Sequence, residues 1–226
     1  MNRNSVLCAS LLLVGLAAMP AGAGIVALGG GWQASWDSSL DPYVDINPLL
    51  VANNAIFIQK SAQFIQGPVN GVVPSIPIVF QQVAPSEIEF IVIDDEIITN
   101  STGVDWVDFH IDLLDGGDAW FDPVRTAQSG GGGPIGFTIA PFTLAAFTTS
   151  QRLDIWGGVV GAGQVWYPGD QATDGQLWIG VNSPPPTTGA FRGQLFVLKE
   201  TPTIPEPATV VLLALGGLLA ANRRRA

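Results

Sequence analysis

The chain reads as an all-β protein, an antiparallel β-sandwich of jelly-roll-like type, flanked by an N-terminal signal peptide and a C-terminal membrane helix. Three observations predict this. Short apolar runs recur every ~10 to 20 residues and are bounded by Gly, Pro and Asn, the punctuation of strands. Helical spacing is weak throughout residues 24–200, so nothing supplies the crossovers of a parallel α/β sheet. Uncharged apolar stretches, Val6–Met19 and Ala208–Ala221, stand at the two ends. The expected division is a signal peptide over 1–23, a sandwich over 24–200, a linker over 201–204 and a terminal signal over 205–226. No repeat of 20 to 50 residues emerges, which disfavours a propeller or solenoid.

In order, Gly24 to Leu50 is turn-rich, with Gly29-Gly30-Gly31, and reads as a loop-like start. A first strand is expected over Asn54–Lys60. Ile76–Gln82 follows, where Pro74 and Pro77 favour an edge or a strand start because proline donates nothing to a ladder. Glu87–Ile93 and Val104–Leu114 should pair as the heart of the sheet. Gly136–Phe147, Arg152–Val160, Gly175–Val181 and Phe191–Leu198 complete the set. Thr201-Pro202-Thr203-Ile204 reads as a short stiff spacer.

The two ends carry addressing signals. Arg3, the apolar run and Ala21-Gly22-Ala23 form the three regions of a secretory signal peptide, cut between Ala23 and Gly24. At the other end, Pro205-Glu206-Pro207 precedes a 14-residue apolar helix, 208–221, and Arg223-Arg224-Arg225 close the chain. That helix would span roughly 21 Å at ~1.5 Å per residue, against a hydrocarbon core of ~30 Å, too short for a comfortable permanent anchor. The arginines should stay in the cytoplasm. Pro-Glu-Pro, apolar helix and arginine cluster, in that order, resemble the PEP-CTERM sorting signal of Gram-negative bacteria. The resemblance implies an exosortase-type membrane protease as partner, cleavage near Pro205, transient anchoring in the inner membrane, and delivery to the cell surface or an extracellular polysaccharide matrix. A tail-anchored helix with a chance Pro-Glu-Pro is the plainer alternative, and the sorting signal is favoured over it.

Between the signals lie 18 acidic residues and 5 basic ones, a balance of −13 that repels nucleic acid and anionic membranes. The single cysteine, Cys8, belongs to the signal peptide, so the mature body has no thiol for a disulfide or a zinc site.

One strand concentrates the polar chemistry. In Val104–Leu114 the period of two places Val107, Phe109, Ile111 and Leu113 on one face and Trp106, Asp108, His110 and Asp112 on the other. The second face fits a sugar platform around Trp106, Asp108 and His110, a metal site, or the wet side of an antiparallel sheet. Asn100-Ser101-Thr102-Gly103 followed by Trp106 and Asp108-Phe109-His110 also resembles a stretch of PEP-CTERM extracellular domains, an expectation of the same sandwich fold. Asp112, Asp115, Asp118 and Asp122 surround a Gly-Gly turn and read either as a structural calcium loop or as a solvated acidic turn; the spacing is not that of an EF-hand. No other cofactor is expected.

Catalytic patterns are sparse. No Gly-x-Ser-x-Gly elbow, Walker loop, dinucleotide fingerprint or His/Cys cluster occurs, and His110 is the only histidine. Asp94, Asp95 and Glu96 are contiguous acids, more often a turn than a glycosidase pair. The favoured expectation is a non-enzymatic surface or matrix protein. A carbohydrate-binding module using outward Trp106, Trp156 and Trp178 is the alternative, and a glycosidase-like enzyme the third.

Overall fold

The computed structural model describes residues 24–114, 119–169, 174–181 and 193–205. The signal peptide, the helix expected at 208–221 and the arginine cluster lie outside these residues. Among those described, no helix is long and apolar enough to cross a membrane.

The strands are β1 Gly24–Gly29, β2 Trp32–Trp36, β3 Val44–Ala52, β4 Ala55–Phe64, β5 Ile76–Gln82, β6 Phe90–Asn100, β7 Trp106–Leu114, β8 Ala119–Phe121, β9 Leu144–Thr149, β10 Arg152–Val160, β11 Val165–Trp166, β12 Leu177–Val181 and β13 Leu195–Thr203. A short helix, α1 Pro123–Gln128, follows β8, and a 3-10 turn spans Ser38–Leu40. One sheet has seven strands in the order β1-β2-β5-β13-β7-β10-β9. The other runs β3-β4-β6-β12-β8, with β11 also paired to β6. Among the described residues every strand pairing is antiparallel except β4 with β6, which makes the second sheet mixed.

The sheets close on a continuous apolar core. Phe64 of β4 packs edge-on against Trp106 and Phe109 of β7, with centroids 5.1 and 6.0 Å apart, and Phe109 meets Trp166 of β11 at 5.0 Å. These contacts join side chains from opposite sheets, which is what makes the fold a sandwich.

Several expectations change. The loop-like start is in fact three strands, because Leu28, Trp32, Ala34, Val44 and Ile46 supply a buried set that turn residues obscure. The Glu87–Ile93 and Val104–Leu114 segments do not pair: β6 lies in one sheet and β7 in the other, facing each other across the core. β5 is interior, between β2 and β13, yet Pro77 lies beyond the end of the β2 ladder, which stops at Val79, and so interrupts nothing there. The Gly136–Phe147 strand shrinks to β9. Thr201–Thr203 are no spacer, since they continue β13 and pair with His110, Phe109 and Asp108.

The contiguous acids lie inside β6 rather than in a turn. A register shift between Ile58 and Gln59 inserts one extra residue into β6 at Asp94, and the three carboxyls diverge. Asp94 accepts from Gln176 at 2.5 Å, Asp95 accepts from Gln59 on the outer face, and Glu96 is fully buried. Inside, the Lys60 ammonium of β4 contacts Glu96 of β6 and, at 2.6 Å, Glu200 of β13, with all three side chains 0 % exposed.

Trp106 is likewise buried, not outward. Buried Asn100 turns the β6–β7 corner, donating to the carbonyls of Val104, Val160 and Gly161 and accepting from the Thr102 hydroxyl. That hydroxyl in turn accepts from Trp106 Nε1 at 3.2 Å, which draws the indole inward. The Asn-Ser-Thr-Gly…Trp stretch is a corner lock, and regular alternation in β7 begins only after it.

Phe109 sits at the centre of the inter-sheet aromatic cluster. Phe109→Ala is expected to cost about 3 to 5 kcal/mol through lost transfer energy and a cavity, read as a lowered denaturant midpoint with an unchanged slope. A loss below ~1 kcal/mol, the level of a surface change, would contradict the packing.

Candidate functional site

The outer face of the seven-stranded sheet carries Asp108, His110 and Asp112 of β7, as the period of two predicts, but neighbours occupy His110 and Asp112. In register, His110 stands between Asp154 of β10 and Thr201 of β13. Its Nδ1 lies 2.7 Å from Asp154 Oδ1, and its Nε2 3.0 Å from Thr203 Oγ1. Asp154 also accepts from Arg152 Nε at 2.7 Å and from the Thr148 hydroxyl at 2.7 Å. Arg152 reaches on to Asp112 at 3.1 Å. The result is a half-buried charged network crossing β13, β7, β10 and β9.

Acid, imidazole and hydroxyl stand here in the order of a nucleophilic relay. A relay also needs donors converging on a developing oxyanion. His110 and its neighbours lie on a strand paired on both sides, where backbone N–H groups point along the sheet plane into the ladders rather than above the hydroxyl. The arrangement fixes three strands together through hydrogen bonds and an ion pair.

The tryptophans expected outside are only partly so. Trp156 is half-buried opposite Asp108. Trp178 is held edge-on between Phe57 and Phe90, at 5.8 and 5.5 Å, with the Arg125 guanidinium 5.3 Å from its ring. Its face is therefore occupied by the chain itself.

The four candidate calcium ligands do not form a described site. Asp115 and Asp118 lie outside the described residues. Asp112 is paired with Arg152, and Asp122 caps α1, accepting from the backbone of Val124 and Arg125 at 3.1 and 3.0 Å. Among the described residues no group of three or more His, Cys, Asp or Glu converges as a metal site.

A site the sequence reading missed lies on the other sheet. The outer face of β3, β4 and β6 forms a polar trough of two adjoining hollows, about 310 and 350 Å³, that share Asp45, Ser61 and Ile97. One is floored by Asn47, Gln59 and Asp95; the other is walled by Asp41, Tyr43, Gln63 and Thr99. Register places these side chains in rows, Asp45 opposite Ser61 and Asn47 opposite Gln59, with Gln59 beside Asp95. Asn47 donates to Gln59 at 3.3 Å, and Gln59 donates to Asp95. Carboxylates, amides and hydroxyls beside one tyrosine make a surface suited to polyhydroxyl ligands. The signal was present in the sequence, as polar residues alternating with core residues along 44–47 and 59–63, but two acids and two amides on separate strands announce nothing until register joins them.

Burial opposes ionisation of Asp154, yet hydrogen bonds from Thr148, Arg152 and His110 outweigh it and hold the carboxyl below its usual range. A carboxyl depressed in the folded state contributes stability above its unfolded pKa of ~3.9 and loses it as pH falls through the lower folded value. Wild type should therefore melt higher than Asp154→Asn at pH 7, and the gap should shrink below about pH 4. A gap independent of pH would show that the carboxylate charge contributes nothing.

Residues 203–226 match the PEP-CTERM protein-sorting motif. No curated protein and no solved structure matches the chain. The match takes in Pro205, Glu206, Pro207 and Arg223, Arg224 and Arg225, of which only Pro205 is among the described residues, and it begins on the last residue of β13. The motif implies export and processing by exosortase, a membrane protease, on the way to the cell surface; the chain thus carries a PEP-CTERM sorting signal directly on the closing strand of a β-sandwich.

Proposed function

We propose that the body is a non-enzymatic component of the cell surface or extracellular matrix, associated with exopolysaccharide and displayed through its C-terminus. The supporting observation is the place of β13. The strand that leads into the sorting motif is hydrogen-bonded to β5 on one side and β7 on the other, in the middle of the seven-stranded sheet. A pull transmitted through the C-terminus loads two ladders lengthwise, so many hydrogen bonds share it at once, and Glu200 of the same strand ties it to the second sheet. An edge strand would carry the same pull through one ladder instead of two.

The trough supports a second role within the same reading, recognition of matrix sugars. Tyr43 offers a ring for stacking, and Asp45, Asn47, Gln59 and Asp95 offer acceptors and donors for hydroxyls. Trp106 has no part in it, being buried.

In the native host, wild-type protein should appear in the surface fraction with termini near Gly24 and Pro205, while a variant with Arg223, Arg224 and Arg225 replaced by Ala should accumulate unprocessed in the inner membrane. A surface form that retains the arginines would sink this reading. On glycan arrays, Tyr43→Ala should lose the wild type's binding while keeping its melting temperature; wild type binding no glycan would leave only the structural role.

A further inference from the structure

Lys60, Glu96 and Glu200 are the only charged side chains among the described residues that are fully withdrawn from water. Register places Lys60 directly beside Glu96 on the paired strands β4 and β6, and Glu200 reaches the same ammonium from the opposite sheet. Their neighbours along the inward faces are Ile58, Ala62, Ile98 and Leu198, all buried. An amine is thus held in contact with one carboxyl, with a second carboxyl on the same nitrogen, in an apolar enclosure.

From this geometry we propose that Lys60 Nζ and Glu96 Cδ are joined by an isopeptide bond, with Glu200 as the proton carrier. In the starting state Lys60 is an ammonium, Glu200 a carboxylate and Glu96 a neutral acid. Burial, reinforced by the adjacent Glu200, pushes the Glu96 carboxyl well above the usual range, which favours that acid form. Burial acts to lower the Lys60 ammonium's affinity for its proton, but Glu200 and Glu96 outweigh it and leave it raised, so a proton must be removed before the nitrogen can attack. Glu200 takes that proton. The Nζ lone pair adds to Glu96 Cδ, forming the C–N bond; a second proton from the nitrogen passes through Glu200 to the departing oxygen, the C–O bond breaks, and water leaves. The products are one amide, one water and a protonated Glu200, so atoms and charge balance without any oxidant or cofactor.

Two physical terms favour the reaction. Amine and carboxyl are fixed in contact, a placement whose effective concentration reaches ~10⁵ M or more in well-oriented systems. The condensation also replaces a buried cation and anion by a neutral amide and a neutral acid, removing charge from a medium that solvates it poorly.

The test is peptide mapping of the purified full chain after denaturation. Chymotrypsin cuts at Phe64, Phe80 and Phe90, all between Lys60 and Glu96, so unlinked protein yields these residues on separate peptides. The expected result is one branched peptide carrying both, lighter than the sum of its parts by one water, together with failure of trypsin to cut after Lys60. Lys60→Arg should abolish the branch. Glu96→Gln should keep it, releasing ammonia instead of water and giving the same amide. Glu200→Gln should leave Lys60 and Glu96 unlinked. Separate, unmodified Lys60 and Glu96 peptides from wild type would overturn the proposal without recourse to any variant. A branch to Glu200 would overturn the choice of Glu96, and full linkage in Glu200→Gln would remove Glu200 from its role.

Discussion

A lysine shared by two glutamates in a dry core is the constraint on which the sandwich turns. Two of the three residues lie on adjacent strands of one sheet and the third on the central strand of the other, so their meeting fixes the relative position of the sheets as well as the register of β4 against β6. Apolar packing alone is tolerant of small slides. This cluster is not, because before any bond forms a shift that separates the groups leaves an unpaired charge in the core, a loss of about 3 to 5 kcal/mol when one partner is removed outright. The Asp94 bulge of β6 belongs to the same constraint, since it turns Glu96 inward while its two acidic neighbours face elsewhere.

The outer faces divide the remaining work. On the seven-stranded sheet, the His110 network spends its charges on one another and stitches the central strands together. On the six-stranded sheet, the amides and acids of the trough stand in open hollows where a solvent-borne ligand can compete for them. The contrast follows from composition: Arg152 gives the first face a cation to organise its carboxylates, whereas the only lysine on the second sheet's β4 is turned into the core.

The all-β class was legible because apolar runs at strand length and Gly/Pro punctuation are local properties. β5 and β10 could be read to the residue for the same reason. Pairing was not legible: β6 and β7 are neighbours in sequence with strong strand character, and nothing local says that one crosses to the other sheet at an asparagine corner. Trp106 was misplaced because strict alternation was extended through that corner. The buried cluster, by contrast, left a trace that went unread. Lys60 is in phase with Ile58 and Ala62, Glu96 with Ile98 and Asn100, and Glu200 with Phe196 and Leu198, so each charge occupies a core position of its own strand. A charged residue in core phase is a statement about a partner, and three of them on different strands are a statement about one meeting point.

The closing strand also sets when the domain can fold. β13 is the last part of the body to be synthesised, yet it lies in the centre of the seven-stranded sheet, between β5, more than a hundred residues earlier, and β7. Until it arrives, β2 and β5 cannot be joined to β7, β10 and β9, and Lys60 and Glu96 have no third partner. Closing such distant pairings is slow, because chain entropy is lost before contacts repay it. A nascent chain lacking only its final strand therefore leaves the seven-stranded sheet in two unjoined parts, which close slowly once the residues just ahead of the sorting motif arrive.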